Sequence, residues 1–421
     1  MKLFGNHKIV KNNKLLITFL LFILTIVIAS GHVSDSKFNE TNGHRFNILL
    51  WELEHLPSKL VYEITSGNLF RKRNETYIEN TKSLVYELET ISKKINEIEF
   101  KLSVARSNDF KNNIEINNYE KELENLIKQK NLIRNRVEGY IESLLTEQIK
   151  IQKLRIKDMF VWPPVDFRID SPPKLLVVSP RDKILRLDEE LINSSILTEE
   201  MSLIEDSITK NKNLSAVVLQ TGGLATYPSI VPSNVSLLNL LETASHEWLH
   251  SYLIFFPLGR AYFSDGQMLT INETLANMFG KELALEMYLS ITDKDNNTDD
   301  ITSEGNVDQE KKEPVFSYNK HMQKTRIKTE ELLLEGKIIE AEKYMEDRRL
   351  DLNKNGYNIR KINQAYFAFY GSYADSPQSI SPIYQQLQDL REKRLNIGEL
   401  VNEIKNISTY EDFRLLLNHS R

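Results

Sequence analysis

Ser236-Leu237-Leu238-Asn239-Leu240-Leu241-Glu242-Thr243-Ala244-Ser245-His246-Glu247-Trp248-Leu249-His250 is the stretch from which the rest of the chain is read. Its leucines recur at helical spacing, and Pro257 and Gly259 close the pattern, so a helix starting at Ser236 is expected. On a helix, residues one turn apart share a face, with β-carbons about 5 to 6 Å apart. His246 and His250 stand in that relation, which lets both imidazoles reach one tetrahedral ion. Glu247 points beside such an ion, where a carboxylate takes a proton from water that the metal activates. The plainer alternative is a buried histidine pair with satisfied hydrogen bonds.

A catalytic zinc site needs a third protein ligand and an open position. The chain has no cysteine, so thiolate ligands, disulfides, a cysteine nucleophile and a lipid-modified cysteine are all excluded. Any metal binds through His, Asp or Glu. Asn272-Glu273-Thr274-Leu275-Ala276-Asn277 lies in a second helical pattern, 271–289, and offers Glu273. Asp265 sits in a turn between Gly259 and Gly266, which positions a ligand poorly. Glu282 falls on the opposite side of the helix from Glu273, Glu286 lies several turns further on, and His321 follows a long polar connection.

In these residues the chain resembles the gluzincin metallopeptidases, where an HExxH helix is followed by a second helix whose Glu completes the site. The resemblance implies a zinc peptidase with one Zn2+ held by His246, His250 and Glu273, and Glu247 as general base. In that family an acidic residue one turn after the third ligand often orients a histidine. Asn277 stands there, and its amide oxygen accepts an imidazole N–H without adding charge. The segment Asn363-Gln364-Ala365-Tyr366-Phe367-Ala368-Phe369-Tyr370-Gly371-Ser372-Tyr373 is similar to a late helix of gluzincin aminopeptidases. At helical spacing Asn363, Tyr366, Tyr370 and Tyr373 share a side. Tyr370 or Tyr373 would then donate to the oxyanion of the tetrahedral intermediate. An aromatic core helix is the competing explanation.

A length of 421 residues allows two or three domains, and a formal net charge of -5 lacks the basic excess that phosphate-backbone binding needs. No nucleic-acid partner is expected. Lys2, Lys8, Lys11 and Lys14 precede the mostly apolar run 15–29, and Asp35 and Glu40 follow it, an asymmetry that sends the bulk of the chain outside the cytoplasm. Residues 1–31 are read as a signal anchor, making the protein a single-pass membrane protein. Cleavage at Ala29-Ser30-Gly31 and secretion is the alternative.

Residues 32–158 form a helical region. Leu84, Leu88, Ile91, Ile95, Ile98 and Leu102 make one heptad seam, and Tyr119, Leu123, Leu126, Ile133, Val137, Tyr140 and Leu144 a second. A polar break through Ser107-Asn108-Asp109 and Asn112-Asn113 folds them into a long antiparallel hairpin. The hairpin serves either as a docking arm for a protein partner or as packing for the catalytic domain.

From 159 to 421 the texture is that of a mainly helical (α+β) domain. Strands are expected at 174–179 and 216–220, with a mixed, helical stretch at 188–210 between them and an extended segment after Tyr227-Pro228. A flexible acidic loop is expected at 293–314, followed by helices at 316–335 and 338–353 joined at Gly336 and a last helical set from Ile359, broken at Ser376-Pro377. The function expected is a membrane-associated zinc metallopeptidase acting on peptides or proteins. The alternative is a non-catalytic, membrane-tethered coiled-coil scaffold with a vestigial or structural metal site.

Overall fold

The computed structural model describes residues 38–65, 75–107, 113–154, 161–292 and 316–419. The leader, the polar break at 108–112 and the acidic loop at 293–314 lie outside the described residues. Among the described residues no helix is long and apolar enough to cross a membrane. The fold is mainly helical with two small sheets, as the sequence leads one to expect.

The helices are α1 (Ile48–Thr65), α2 (Glu75–Ser107), α3 (Asn113–Ile151), α4 (Thr198–Lys212), α5 (Leu237–Leu253), α6 (Pro257–Arg260), α7 (Gly266–Thr292), α8 (Tyr318–Leu334), α9 (Ile338–Lys354), α10 (Gln364–Tyr370), α11 (Ile383–Arg391), α12 (Ile397–Ile404) and α13 (Tyr410–His419). The strands are β1 (Phe167–Asp170), β2 (Lys174–Pro180), β3 (Asp188–Ile192), β4 (Leu214–Gln220) and β5 (Ser229–Pro232).

Helices α2 and α3 pack along each other, and the residues that meet fix their sense. Val85 and Leu88 of α2 share a core with Val137, Tyr140, Ile141 and Leu145 of α3, whereas Ile91, Ile95 and Ile98 meet Leu126, Leu123 and Tyr119. Early α2 therefore lies beside late α3, and the hairpin is antiparallel. Its two ends differ. The outer half closes a small core of its own, while the base joins the large core of the body with Leu240, Leu241 and Trp248 of α5 and Leu275 and Phe279 of α7. Midway, Ser92 Oγ and Asn96 Nδ2 donate to the carbonyls of Ser233 and Asn234, each at 3.0 Å, so the hairpin also braces the segment leading into α5.

The larger sheet has the order β3-β2-β4, antiparallel throughout, and is buried on both faces. Leu176 and Val178 of β2 face α4 with Ile204 and Ile208, and Leu175 and Val177 face Met322, Met345 and Phe367 from α8, α9 and α10. The stretch read as mixed and helical from 188 splits into β3 and then α4. Asp188-Glu189-Glu190 gives β3 no apolar alternation, and pairing to β2 supplies what pattern does not. The outer edge of β4 is occupied by side chains: Asn363 donates to the Ala216 carbonyl, Arg360 to the Val218 carbonyl, and Glu205 accepts from Val218 N–H. That edge is closed to an added strand. β5 pairs in parallel with β1, which is latched to the hairpin by Glu138 and Glu142 accepting from Ile169 and Phe167 N–H.

Candidate metal centre

Helix α5 starts at Ser236, whose hydroxyl accepts from Asn239 N–H at 3.3 Å and satisfies an otherwise open donor of the first turn. The helix is buried along much of its length against α7. The two approach so closely that a β-carbon on Gly280 would lie 2.8 Å from the Glu242 carbonyl oxygen and 3.4 Å from His246 Cβ. Glycine at that crossing brings the α7 backbone beneath His246, which places Glu273 opposite the two imidazoles. Trp248, stacked on Phe279 with ring centroids 6.0 Å apart and donating to the Pro163 carbonyl, pins the far side of α5.

The result is a convergent triad. His246 Nε2 and His250 Nε2 are 2.9 Å apart, and each lies 3.5 Å from Glu273 Oε2. Ligands held about 2.0 to 2.1 Å from a tetrahedral ion stand about 3.3 to 3.4 Å from one another, so the two edges to Glu273 match one ion and the imidazoles would part by about 0.4 Å to take it. Glu273 Oε2 is buried without a hydrogen-bond partner, a costly arrangement that a bound cation relieves. Electrostatics agree: burial disfavours charge on His250, yet Glu273 beside it outweighs burial and pushes its pKa up to about 9. Burial likewise opposes ionisation of Glu273, yet the two histidines hold its carboxyl well below the usual range. The three groups together call for positive charge at their centre, and His246, His250 and Glu273 form a possible metal-binding triad.

Glu247 lies beside this triad. Burial raises its pKa, opposed by His246 and His250, and the net shift is upward, which suits a group that must accept and return a proton. All four side chains line one cavity of about 1040 Å3, walled by 221–225 before β5, by Ile254 and Phe263, and by Phe369, Tyr370 and Tyr373.

No family model, curated protein or solved structure matches the chain.

Two expectations need correction. The amide that receives a histidine is Asn272, whose Oδ1 lies 2.9 Å from His250 Nδ1 and whose Nδ2 donates to the Leu258 carbonyl. Asn277 instead donates to Asp375 at 2.9 Å, and Lys281 one turn later holds the other Asp375 oxygen at 2.7 Å. One turn past Glu273, α7 has carried Asn277 towards the 370s rather than the imidazoles. The aromatic segment also bends: α10 ends at Tyr370, and Asn363 caps its start by accepting from Tyr366 N–H, so these four residues are not one helical face.

Both tyrosines line the cavity, and Tyr373 is the one under the charge of Glu273 and Glu247. Burial drives its pKa far up, and Glu273 and then Glu247 add to the shift, so it stays a donor. Tyr370 lines the cavity but packs with Tyr366, and its charge neighbour is Tyr318. Two of the rejected acids have other partners: Asp265 caps α7 by accepting from Gln267 and Met268 N–H, and Glu282 pairs with Arg391. His321 bonds the Arg348 carbonyl.

Sequence reasoning missed Tyr262, Arg186 and Gly223. Tyr262 donates to Glu273 Oε1, leaving Oε2 for the ion, and meets the His250 ring edge-on with centroids 6.0 Å apart. Its loop between two glycines looked mobile, and no local pattern ties it to a residue on α7.

Proposed function

We propose that the chain is a zinc-dependent metallohydrolase that cleaves peptide bonds, of the gluzincin type, held at the membrane by its N-terminal segment with the bulk outside the cytoplasm. One observation carries this: His246, His250 and an orphaned Glu273 oxygen converge with Glu247 beside them on one cavity. A structural zinc site is closed by four protein ligands, whereas three residues opening on a cavity leave a position for water and substrate. That difference favours an enzyme over a tethered scaffold.

Zinc held by His246, His250 and Glu273 would supply Lewis acidity towards the scissile carbonyl and ease deprotonation of water. Glu247 accepts that proton on its carboxylate and returns it to the leaving amine. Its buried setting keeps the transferred proton from solvent. Asn272 fixes the tautomer and plane of His250, and Tyr262 fixes the rotamer of Glu273. Tyr373 offers its O–H to the oxygen on which charge develops.

The test is metal analysis of the purified chain with a peptide-library digest. Parent and Glu247→Gln should each carry one zinc, with hydrolysis lowered about 100- to 10,000-fold in the variant. Glu273→Ala should lose zinc affinity by orders of magnitude while Asp265→Ala keeps it. Equal turnover by parent and Glu247→Gln would sink the mechanism, and tight zinc binding by Glu273→Ala would sink the ligand set.

A further inference from the structure

Among the described residues that line the cavity, Arg186 is the one arginine or lysine. It projects from the turn between β2 and β3, and two neighbours hold its guanidinium in place. The ring of Phe369 lies beneath it, 5.4 Å from its central carbon, and Glu189 takes the edge formed by Nε and Nη2. A guanidinium has five donors, so the Nη1 side is not engaged by Glu189. Held on an aromatic face with one edge paired, the group needs little reorganisation to take a second planar anion. Its further electrostatic partners are, in falling order, Tyr262, Tyr373 and Glu273. Tyr262, Tyr373 and Glu273 line the same cavity, so Arg186 and the metal-binding triad face one shared space. Apart from the two imidazoles, the other ionisable acids and bases of the lining are the carboxyls of Glu189, Glu190, Glu242, Glu247, Glu273 and Asp375 and the tyrosine hydroxyls. Away from the metal ligands, Arg186 is the favourable place for an anionic substrate group.

We propose that Arg186 is a specificity residue that binds a substrate carboxylate, making the cavity selective for peptides with a free C-terminal or side-chain carboxylate next to the scissile bond. This rests on the peptidase function above and adds its substrate class. Carboxylate and guanidinium share a planar two-point geometry, which a carbonyl oxygen does not match.

The experiment uses the full chain loaded with zinc in the Glu247→Gln background, so that peptides bind without being cut. Calorimetry compares N-acetyl-Phe-Leu, its C-terminal amide, and N-acetyl-Phe-Asp-amide. A charged hydrogen-bonded pair of this kind is worth about 10- to 100-fold in affinity. We expect the free acid to bind that much more tightly than its amide if the terminal carboxylate is the ligand. We expect the Asp amide to bind more tightly than the Leu amide if a side chain supplies it. Arg186→Gln should erase the preference and Arg186→Lys, which keeps charge without the fork, should retain part of it, both at unchanged zinc content. Peptides that bind all variants alike, with no carboxylate preference in the parent, overturn the role of Arg186 and leave the peptidase function standing. Absence of binding by every peptide, with no hydrolysis by the Glu247 parent, overturns both.

Discussion

A β-carbon on Gly223 would lie 2.5 Å from Glu247 Oε1 and 2.7 Å from the Thr243 methyl group, so the loop after β4 presses its bare backbone against the proposed base. Gly223→Ala must displace either the loop or the carboxylate. A shift of about 1 Å in a reacting group costs on the order of 100-fold. We expect Gly223→Ala to lose turnover on that scale with zinc content intact, and unchanged kinetics would mean the base tolerates movement. The tyrosines make a second case. Tyr373→Phe removes a donor under the charge of Glu273 and Glu247 and should slow turnover about 100- to 1,000-fold, whereas Tyr370→Phe removes a hydroxyl whose charge neighbour is Tyr318 and should leave it near parental. Equal effects would return both to a packing role. His246, Glu247 and His250 were legible because helical spacing alone brings them together, and Glu273 because a second helical pattern carried it. Tyr262, Arg186 and Gly223 were not, since each reaches the site from a loop whose path depends on tertiary packing.

At the scale of elements, the joint between hairpin and body is electrostatic as well as apolar. Lys59 of α1 enters a buried group of acids, Glu138 and Glu142 on α3 and Asp166 before β1, and also donates to the Phe167 carbonyl. Arg134 stands 3.5 Å from Glu138, so two cations face three carboxyls. One negative charge is in excess, and burial favours its neutralisation: Glu142 is raised to about 8 despite Lys59 beside it. The native state then holds a proton that the unfolded chain releases near its ordinary value of about 4.3. Stability from this proton is complete below the unfolded value and is lost as pH rises through the folded one, by up to about 1.4 kcal/mol per pH unit. Glu142→Gln keeps an oxygen for Phe167 N–H and has nothing to titrate. We expect its melting temperature to gain on the parent between pH 5 and 8, and parallel curves would refute the protonated Glu142. None of this was legible in the sequence, where nothing local marks Glu138 and Glu142 as buried. The seams and most helices were legible, because each is written in a period that local geometry enforces. β3, an acidic strand beside its partner, was not.

For the whole molecule the question is whether the hairpin and the metal-bearing body unfold together. Heptad spacing predicts the hairpin, but it does not say how far the body reaches up it. The buried clusters do, since Val137 to Ile149 of α3 share the core that holds α5 and α7, while Ile98 and Leu126 belong to a separate outer cluster. Truncating a buried leucine or isoleucine to alanine costs about 2 to 5 kcal/mol, and the cost falls on the cooperative unit that owns the side chain. Leu145→Ala, fully buried at the base, should therefore weaken hydrogen-exchange protection in α5 and α7 as well as α3, and should loosen zinc retention. Ile98→Ala lies beyond the bonds from Ser92 and Asn96 to Ser233 and Asn234. It should open the outer turns of α2 and α3 while α5 keeps its protection and zinc stays bound. An Ile98→Ala protein whose α5 exchanges as fast as that of Leu145→Ala would instead show hairpin and body to be one unit, and the outer half would then be part of what holds His246 and His250 in place.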